Sequence, residues 1–366
     1  MQEIPVVQLG LGGVGQALIE QMLVAQAAGV ADRRWRARPR WVAVADSRGL
    51  LYRAQGVSTS DLRLILDLKR RGAGLDSIDG FMPGGSGNLM DCVMNRKGPP
   101  GIIVDVTAAS GMEGLLLSAI ERGWGVVLAN KRPLSQAQAV FTRLKNSGRM
   151  RHEATVGAGL PLVGAIDYLL DSGDVITSIE GCLSGTLGYL FTALEDETSF
   201  SSALHRAKKL GYTEPDPRED LSGQDVARKA LILGRLLGWC LEMEDVRIEA
   251  LHPSSMAELS VDGFLRAVSD LDHSYLERAA EAREEGSVLR YVASMRDGRC
   301  SAGIRRVSER EPMGSQRGTD NIVAIHTARY GRLPLVLAGA GAGREVTAAG
   351  VLWDIVSLAR EMSAWR

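Results

Sequence analysis

The run Gly10-Leu11-Gly12-Gly13-Val14-Gly15 lies between a short apolar segment and a long helical pattern, and it constrains this chain more than any other feature. Pro5 to Leu9 reads as a buried strand and Gly13 to Ala28 as a helix. The glycines between them fit G-x-G-x-x-G. The first permits a tight turn, the second lets backbone approach a pyrophosphate, and the third lets the helix pack on the strand. Phosphates would then meet free N–H groups and the positive dipole end at the helix N-terminus. Glycine triplets alone are weak evidence. The strand-turn-helix setting makes Gly10, Gly12, Gly13, Val14 and Gly15 candidate dinucleotide-binding residues.

The surrounding pattern extends this unit. Trp41 to Ala45, Ile102 to Val106 and Val126 to Ala129 are apolar runs of buried-strand length. Helical patterns lie among them at Asp61 to Arg71, Met112 to Arg122 and Gln136 to Asn146. Alternation of strand and helix predicts a parallel sheet covered on both faces. Asp46 ends the second strand, where an acid takes the ribose hydroxyls of NAD, although it follows the glycines by more than the usual ~20 residues. The arginine-rich stretch Arg33 to Arg40 accounts for the extra length. Ser47 and Arg48 follow, and Arg48 suits the 2′-phosphate of NADP, so NADP is favoured by a small margin over NAD. Ala129-Asn130-Lys131-Arg132-Pro133 follows another strand. Ligands bind beyond the carboxyl ends of such strands, which sets Lys131 near the nicotinamide end; the plain alternative is a surface lysine beside Arg132.

After about residue 150 the texture changes. Val175 to Cys182 reads as a strand leading into Ser184-Gly185-Thr186, with helices at Ser201 to Leu210 and Ser222 to Leu237. Val288 to Met295 and Ser301 to Val307 read as an antiparallel pair joined by Asp297-Gly298. Strands at Ile322 to Thr327 and Pro334 to Ala338 precede a final helix, about Glu345 to Arg360. The expected fold class is therefore α/β: an N-terminal Rossmann-type dinucleotide-binding domain over 1–150, and an α+β substrate and dimerisation domain over 151–330. Residues 331–366 would return to the first domain.

Composition removes several function classes. The 366 residues suffice for two cores, and 45% hydrophobic with 24% charged residues is a soluble globular profile. A net charge of −1 provides no global field toward nucleic acid or membrane. Arg33 to Arg40 has the charge of a nucleic-acid patch, but Pro39 and the balanced total favour a solvated loop between helix and strand. Cys92, Cys182, Cys240 and Cys300 are scattered without a Cys-x-x-Cys pair, which fits a reducing cytoplasm. No apolar run spans a bilayer and no signal peptide precedes the first strand. The five histidines show no metal spacing.

The chemistry concentrates in Gly211-Tyr212-Thr213-Glu214-Pro215-Asp216-Pro217-Arg218-Glu219-Asp220-Leu221-Ser222-Gly223-Gln224-Asp225-Val226-Ala227-Arg228-Lys229. The prolines hold Glu214 and Asp216 out of helix, and Ser222 is placed to cap the helix that follows. Asp225 and Lys229 lie one turn apart, ordinarily an exposed pair worth ~0.3–0.5 kcal/mol. The preceding loop changes that reading, because Glu214 and Asp220 add carboxylates without matching cations. Such a cluster either repels itself or receives a positive ligand such as an ammonium. Gly339-Ala340-Gly341-Ala342-Gly343 allows close backbone approach to a ligand, the alternative being a hinge. Cys182 has no histidine placed locally to activate it and reads as a small buried hydrophobe.

Taken together these segments resemble the homoserine dehydrogenase family over nearly the whole chain. The resemblance rests on the glycine fingerprint, Ala129-Asn130-Lys131, Glu153 to Pro161, Leu183 to Tyr189, the Gly211 to Lys229 segment, Thr319 to Ile322 and Gly339 to Thr347. Gly211 to Lys229 is highly specific; the fingerprint is not. The resemblance implies reversible hydride transfer between NAD(P) and homoserine, giving aspartate 4-semialdehyde. Glu214 and Asp220 would bind the substrate ammonium, with Tyr212 and Thr186 lining the site. Lys229 and Lys131 would be the catalytic lysines, Lys229 favoured as proton donor, and Asp225 would orient the substrate or that donor. A second lysine nearby would lower the first one's pKa. Thr107, Asn130, Lys131 and Gly343 join the cofactor set. Glu153, with backbone oxygens of Val156, Ala158 and Leu160, would hold a monovalent cation such as sodium, which suits hard oxygen ligands.

The resemblance also implies a cytoplasmic homodimer acting on a small amino-acid substrate, with no nucleic-acid or membrane partner. Many relatives carry asparagine at Ser184 and a polar residue at Gly188. No regulatory ACT domain follows and no aspartate kinase precedes, so the expectation is a monofunctional enzyme. Two alternatives stand beside it. One is a dehydrogenase for another amino-acid aldehyde or alcohol; its acylating version would need a cysteine nucleophile. The other is a dinucleotide-binding sensor without catalysis.

Overall fold

A computed structural model of the chain describes residues 2–84, 93 and 98–364, so Cys92 lies outside the described residues. The chain divides into two compact units, Met1–Gly159 with Gly343–Arg366, and Leu160–Ala342. The sequence-based boundaries lay at 150 and 330. The difference at the second point has a clear cause: Leu335–Ala340 pairs as a strand in the second unit's sheet before the chain leaves it.

The first unit begins with β1 (Gln2–Leu9), α1 (Gly13–Ala27), α2 (Val30–Arg34), β2 (Ala37–Ala45), β3 (Gly49–Tyr52), α3 (Thr59–Arg70) and β4 (Phe81–Pro83). It continues with β5 (Ile102–Asp105), α4 (Glu113–Glu121), β6 (Gly125–Leu128), α5 (Gln138–Asn146) and β7 (Met150–Arg151). The sheet order is β4-β3-β2-β1-β5-β6-β7. β1 lies parallel to both β2 and β5, so the winding reverses direction there and opens the crevice that doubly wound folds use for ligands. The central strands are apolar on both faces, as in a sheet covered by helices.

One expectation fails in this unit. Arg33 to Arg40 is not a solvated loop: Val30–Arg34 is helix and Ala37 opens β2. Trp35, Ala37, Pro39 and Trp41 alternate inward, while Arg36 is exposed and Arg38 and Arg40 are half-buried. The arginines conceal this period-two pattern. Arg38 pairs with Asp32, and Arg40 pairs with Glu3 at 2.9 Å.

The second unit holds α6 (Leu162–Asp171), β8 (Ile176–Cys182), α7 (Gly185–Glu195), α8 (Phe200–Leu210), α9 (Pro217–Leu221) and α10 (Gln224–Leu236). β9 (Arg247–Ile248), α11 (Val261–Ala267), α12 (Asp272–Glu284), β10 (Ser287–Arg296), β11 (Arg299–Ser308), β12 (Asp320–Thr327) and β13 (Leu335–Ala340) complete it. Its sheet order is β13-β12-β8-β10-β11-β9. The β10–β11 hairpin turns at Asp297 (φ 50°) and Gly298 (φ 74°), the left-handed pair a two-residue hairpin demands. Finally α13 (Arg344–Ala364) joins the first unit's core through Ala348, Val351, Ile355 and Leu358. Among the described residues no helix is long and apolar enough to cross a membrane.

Candidate active site

In the first unit the glycine turn follows the steric logic of its spacing. Gly10 has φ 103°, and a Cβ there would lie 2.9 Å from the Val106 carbonyl oxygen. A Cβ on Gly15 would overlap the Gly10 carbonyl. Gly12 differs: it precedes α1, and among the described residues beyond its chain neighbours a Cβ there would meet nothing within 4 Å. Two glycines thus serve the fold and one leaves open space at a helix N-terminus, which fits a dinucleotide phosphate. Gly13 and Val14 form the first turn of α1. Gln8 braces the turn. Its Nε2 donates to the Gly10 (3.0 Å) and Gly15 (2.9 Å) carbonyls, and its Oε1 accepts from the Trp41 indole (2.8 Å). A glutamine inside an apolar strand was the only sequence sign of this role.

Asp46 stands at the end of β2. Its Oδ1 accepts from the Arg48 and Gly49 amides, and Lys69 of α3 forms an ion pair with its other oxygen. Burial works against the charge, but the Lys69 ammonium and these amides outweigh it and hold the carboxyl below its usual range. Ser47 completes the turn between β2 and β3, and the exposed Arg48 guanidinium lies 3.9 Å from Asp76. Lys69 was not legible in sequence, because only the fold brings α3 to the end of β2.

Beyond β5 and β6, fully buried Asp105 ties two loops together. Its Oδ1 accepts from the Thr107 amide (2.9 Å) and hydroxyl (2.7 Å), and its Oδ2 accepts from Asn130 Nδ2 (3.0 Å). Asn130 also donates to the Ala109 carbonyl at 2.8 Å. Burial raises the Asp105 pKa, against these hydrogen bonds. Thr107 and Asn130 therefore order their loops through one carboxyl, which sequence reasoning missed. Lys131 follows directly and precedes the turn Arg132–Leu134.

Glu153 begins a short helical turn and is buried; its amide donates to buried Asp354 of α13 at 2.8 Å. Burial raises the Asp354 pKa well above the ordinary value. Ala158 adopts φ 56°, a costly left-handed conformation for a residue with a Cβ. Val156 belongs to the same segment, whereas Leu160 falls just past the boundary in the second unit. Gly343 (φ 130°) precedes α13. The glycine run before it is neither one open loop nor one hinge. Gly339 and Ala340 lie in β13, and a Cβ on Gly341 would overlap the buried Asn321 amide.

In the second unit the acid-rich segment is a loop followed by a short helix. Asp216 caps α9 by accepting from the Arg218 amide (3.1 Å), with Pro217 at the first helical position, so Asp220 is helical rather than a loop acid. Ser222 does not cap α10. That position belongs to Gly223, whose φ is 72° and where a Cβ would overlap the Tyr291 hydroxyl. Ser222 instead ends α9 and accepts from the Gln224 amide at 3.2 Å.

These turns bring the predicted side chains together. Asp220 Oδ2 accepts from the Glu214 amide at 2.8 Å. The Thr186 hydroxyl lies 2.6 Å from the Tyr212 carbonyl and 2.9 Å from Asp220 Oδ1, and donates to one of them at a time. The Tyr212 ring packs edge-on against Tyr189 with centroids 5.2 Å apart. Burial pushes the Asp220 carboxyl up to about 6; the Glu214 and Asp225 charges reinforce this against two hydrogen bonds. Lys229, only 7% exposed, donates to the Leu183 carbonyl at 2.6 Å and pairs with Asp225 at 2.9 Å. This is no ordinary exposed i,i+4 pair.

Two departures from the family pattern have local explanations. Ser184 caps α7 by accepting from the Leu187 amide, work that asparagine also performs. Gly188 leaves room for Gln316, whose amide a Cβ there would overlap. Cys182 sits in an apolar cluster with Val292 and Ile322, and burial pushes its thiol up to about 12. Such a thiol is unsuited to nucleophilic attack.

The first unit's doubly wound sheet, with a glycine turn at its first helix, has the form of a dinucleotide-binding domain, and the second unit carries a buried lysine paired with a carboxylate. The homoserine dehydrogenase family model matches residues 161–356, more than half of the chain. The Saccharomyces cerevisiae homoserine dehydrogenase is 39% identical over 277 residues, 72% of this chain and 76% of that protein. A bifunctional aspartokinase/homoserine dehydrogenase of Haemophilus influenzae is 35% identical over 354 residues, 95% of this chain. The chain spans only 42% of that protein and 38% of a maize bifunctional relative. A Candida auris crystal structure of a protein of unknown function has TM-score 0.86 and 31% identity, covering 99% of both chains. A hyperthermophilic archaeal homoserine dehydrogenase in complex with NADPH shares the fold, with TM-score 0.73, 23% identity and 97% of both chains covered. The chain belongs to the homoserine dehydrogenase family.

Proposed function

We propose that this chain interconverts aspartate 4-semialdehyde and homoserine with an NAD(P) cofactor. The observation that carries the proposal is the Asp220 cluster: Asp220, raised in pKa first by burial and further by the Glu214 and Asp225 charges, beside the Asp225 carboxylate that pairs with buried Lys229. An α-ammonium supplies the opposite charge. Glu214 and Asp220 receive it, Thr186 keeps the Asp220 carboxylate in place, and Tyr212 borders the site through its backbone and ring.

A bound nicotinamide supplies the hydride to the aldehyde carbon, or takes it back in reverse. In reduction the carbonyl π electrons move onto oxygen, and the Lys229 ammonium delivers a proton to that oxygen. In oxidation the neutral amine accepts the proton from the hydroxyl. Asp225 and the Leu183 carbonyl fix the Nζ position. Lys131 is the second proposed lysine and stabilises developing negative charge. Gly10 to Gly15, Asp46 to Arg48, Thr107, Asn130 and Gly343 hold the dinucleotide. NADP is favoured because Lys69 already neutralises Asp46 and Arg48 extends outward, which suits a 2′-phosphate. Glu153 with the Val156, Ala158 and Leu160 carbonyls would hold sodium, which would stiffen that segment. A homodimer built through the second unit and a cytoplasmic location complete the reading.

The test is NADPH and NADH oxidation with aspartate 4-semialdehyde, by wild type and Lys229→Ala in parallel. Turnover by wild type, lost in the variant with dinucleotide affinity intact, is the expected result. A wild type inactive with both cofactors that still binds them would favour a sensor. Activity only with other aldehydes would favour the alternative dehydrogenase.

A further inference from the structure

The arginine-rich stretch has no part in the proposed reaction, yet it builds one wall of a groove in the first unit. The groove has a volume of about 430 Å³ and is lined by side chains of α1, α2, the following turn and α13. Trp35 and Val356 form its apolar floor, packed with Ala31 and Leu352 as a small cluster that meets the main core through Leu352. Trp353 of α13 stands 55% exposed at its side. Arg34 and Arg360 supply its charge, and no carboxylate belongs to the lining.

The nearby acids are engaged elsewhere. Glu361 pairs with Arg151, Glu20 with Arg70, Glu345 with Arg344 and Asp32 with Arg38. The buried Arg360 Nε has no hydrogen-bond partner among the described residues. That Nε is enclosed by the chain, so an anion in the groove would meet the terminal nitrogens of the two guanidiniums instead. The groove is also distinct from the glycine turn. Gln21, its first lining residue on α1, lies six positions beyond Gly15, about 9 Å along the helix axis.

We infer that this groove binds a small carboxylate with an aromatic or branched apolar body and no ammonium group. The body lies on Trp35, Val356 and Trp353. The carboxylate bonds the Arg34 and Arg360 guanidiniums, whose forked donors match its two oxygens. A zwitterionic amino acid is a poorer ligand, because its ammonium finds no acid in the lining. A simple amine is excluded by like charge.

The probe set is 3-phenylpropionate, phenylalanine and phenethylamine, titrated into the full chain by calorimetry with NADPH absent and then saturating. The expected result is saturable binding of 3-phenylpropionate with Kd about 1 mM or tighter. Phenylalanine should bind at least about fivefold more weakly and phenethylamine not measurably, a difference of about 1 kcal/mol or more. Arg360→Gln and Arg34→Gln should each weaken 3-phenylpropionate by about tenfold, the effect of one lost charge-assisted contact. Arg34 is exposed, so its variant tests the idea even if the Arg360 variant folds poorly. The inference is overturned by no saturable binding, equal binding of the amine, indifference to Arg34→Gln, or loss of the signal under saturating NADPH. A signal that tracks self-association in sedimentation also overturns it, by assigning the face to a second copy.

Discussion

The glycine turn of the first unit and the acid-rich segment of the second reach binding chemistry by opposite means. The turn works by omission: Gly10 and Gly15 lack side chains because backbone occupies that space, and Gly12 leaves space open. The segment works by excess, gathering carboxylates around Asp220, whose pKa burial raises and the Glu214 and Asp225 charges raise further. A site made of backbone is shared by many dinucleotide proteins and says little about the reaction. A site made of charged side chains is expensive to fold and therefore specific to what it binds. Substitutions in the second region should change the chemistry, whereas those in the first should change cofactor affinity or the fold.

The widest gap between the regions should come from Lys229→Ala. Removing the proposed proton donor should lower kcat/KM by about 10²- to 10⁴-fold. NADPH affinity, read by fluorescence titration, should stay within about twofold, well under 1 kcal/mol. Loss of NADPH binding together with activity would erase the contrast, because the lysine would then serve structure rather than proton transfer.

Next in size is Asp220→Asn, which should raise the KM for the amino-acid substrate about tenfold, as expected for a lost charged contact. Its pH dependence is the sharper readout. An ionised Asp220 is needed to hold an ammonium, and its free-form pKa is near 6. Wild-type kcat/KM should therefore fall as pH drops below 6, and that limb should vanish in the variant. Stability runs the other way. A carboxyl raised in the folded state binds its proton more tightly folded than unfolded. Its penalty is thus absent below the unfolded pKa, grows as pH rises toward about 6, and is complete above it. The variant should compare with wild type more favourably at pH 8 than at pH 4 in thermal melts.

The same contrast explains what could be read from sequence. The β1 strand, the glycine turn and the β10–β11 hairpin were legible, because each is fixed by contiguous residues with a steric requirement. The approach of Glu214 to Asp220 was legible from charge density, and the Asp225–Lys229 pair from helical spacing. The α9 helix was not, since five residues with Pro217 first and Asp216 as cap read as a proline-rich loop. Gly223 was passed over as a cap because its reason lies 68 residues away, at Tyr291. Gln8, Asp105 and Lys69 act through partners distant in sequence. The first two left the trace of a polar residue in or ending a buried strand; Lys69 left none.

Within the glycine turn, Gly12→Ala and Gly15→Ala separate binding from folding. Gly15→Ala should lower Tm, as overpacking costs ~1–3 kcal/mol. Gly12→Ala should leave Tm within a degree or two, because no described atom beyond its chain neighbours lies within 4 Å of its methyl. Its NADPH Kd should nonetheless rise about tenfold, the methyl intruding where a phosphate approaches. Unchanged NADPH affinity in a folded Gly12→Ala protein would remove the assignment of that open space to the cofactor.

The smallest effect belongs to Lys69→Ala, where the two means of building a site meet. Asp46 alone would repel a 2′-phosphate and attract ribose hydroxyls; with Lys69 attached its charge is cancelled. Removing the ammonium restores a bare carboxylate at the end of β2, less than half-exposed and so only partly screened. The NADPH-to-NADH ratio of kcat/KM should therefore fall by about three- to tenfold, or ~1 kcal/mol. Arg48→Ala should move it the same way by less, since that guanidinium is largely exposed and its charge better screened. A ratio that rises in Lys69→Ala would mean that Lys69 positions Asp46 for ribose instead. The second strand would then end in an NAD site, against the preference proposed for it.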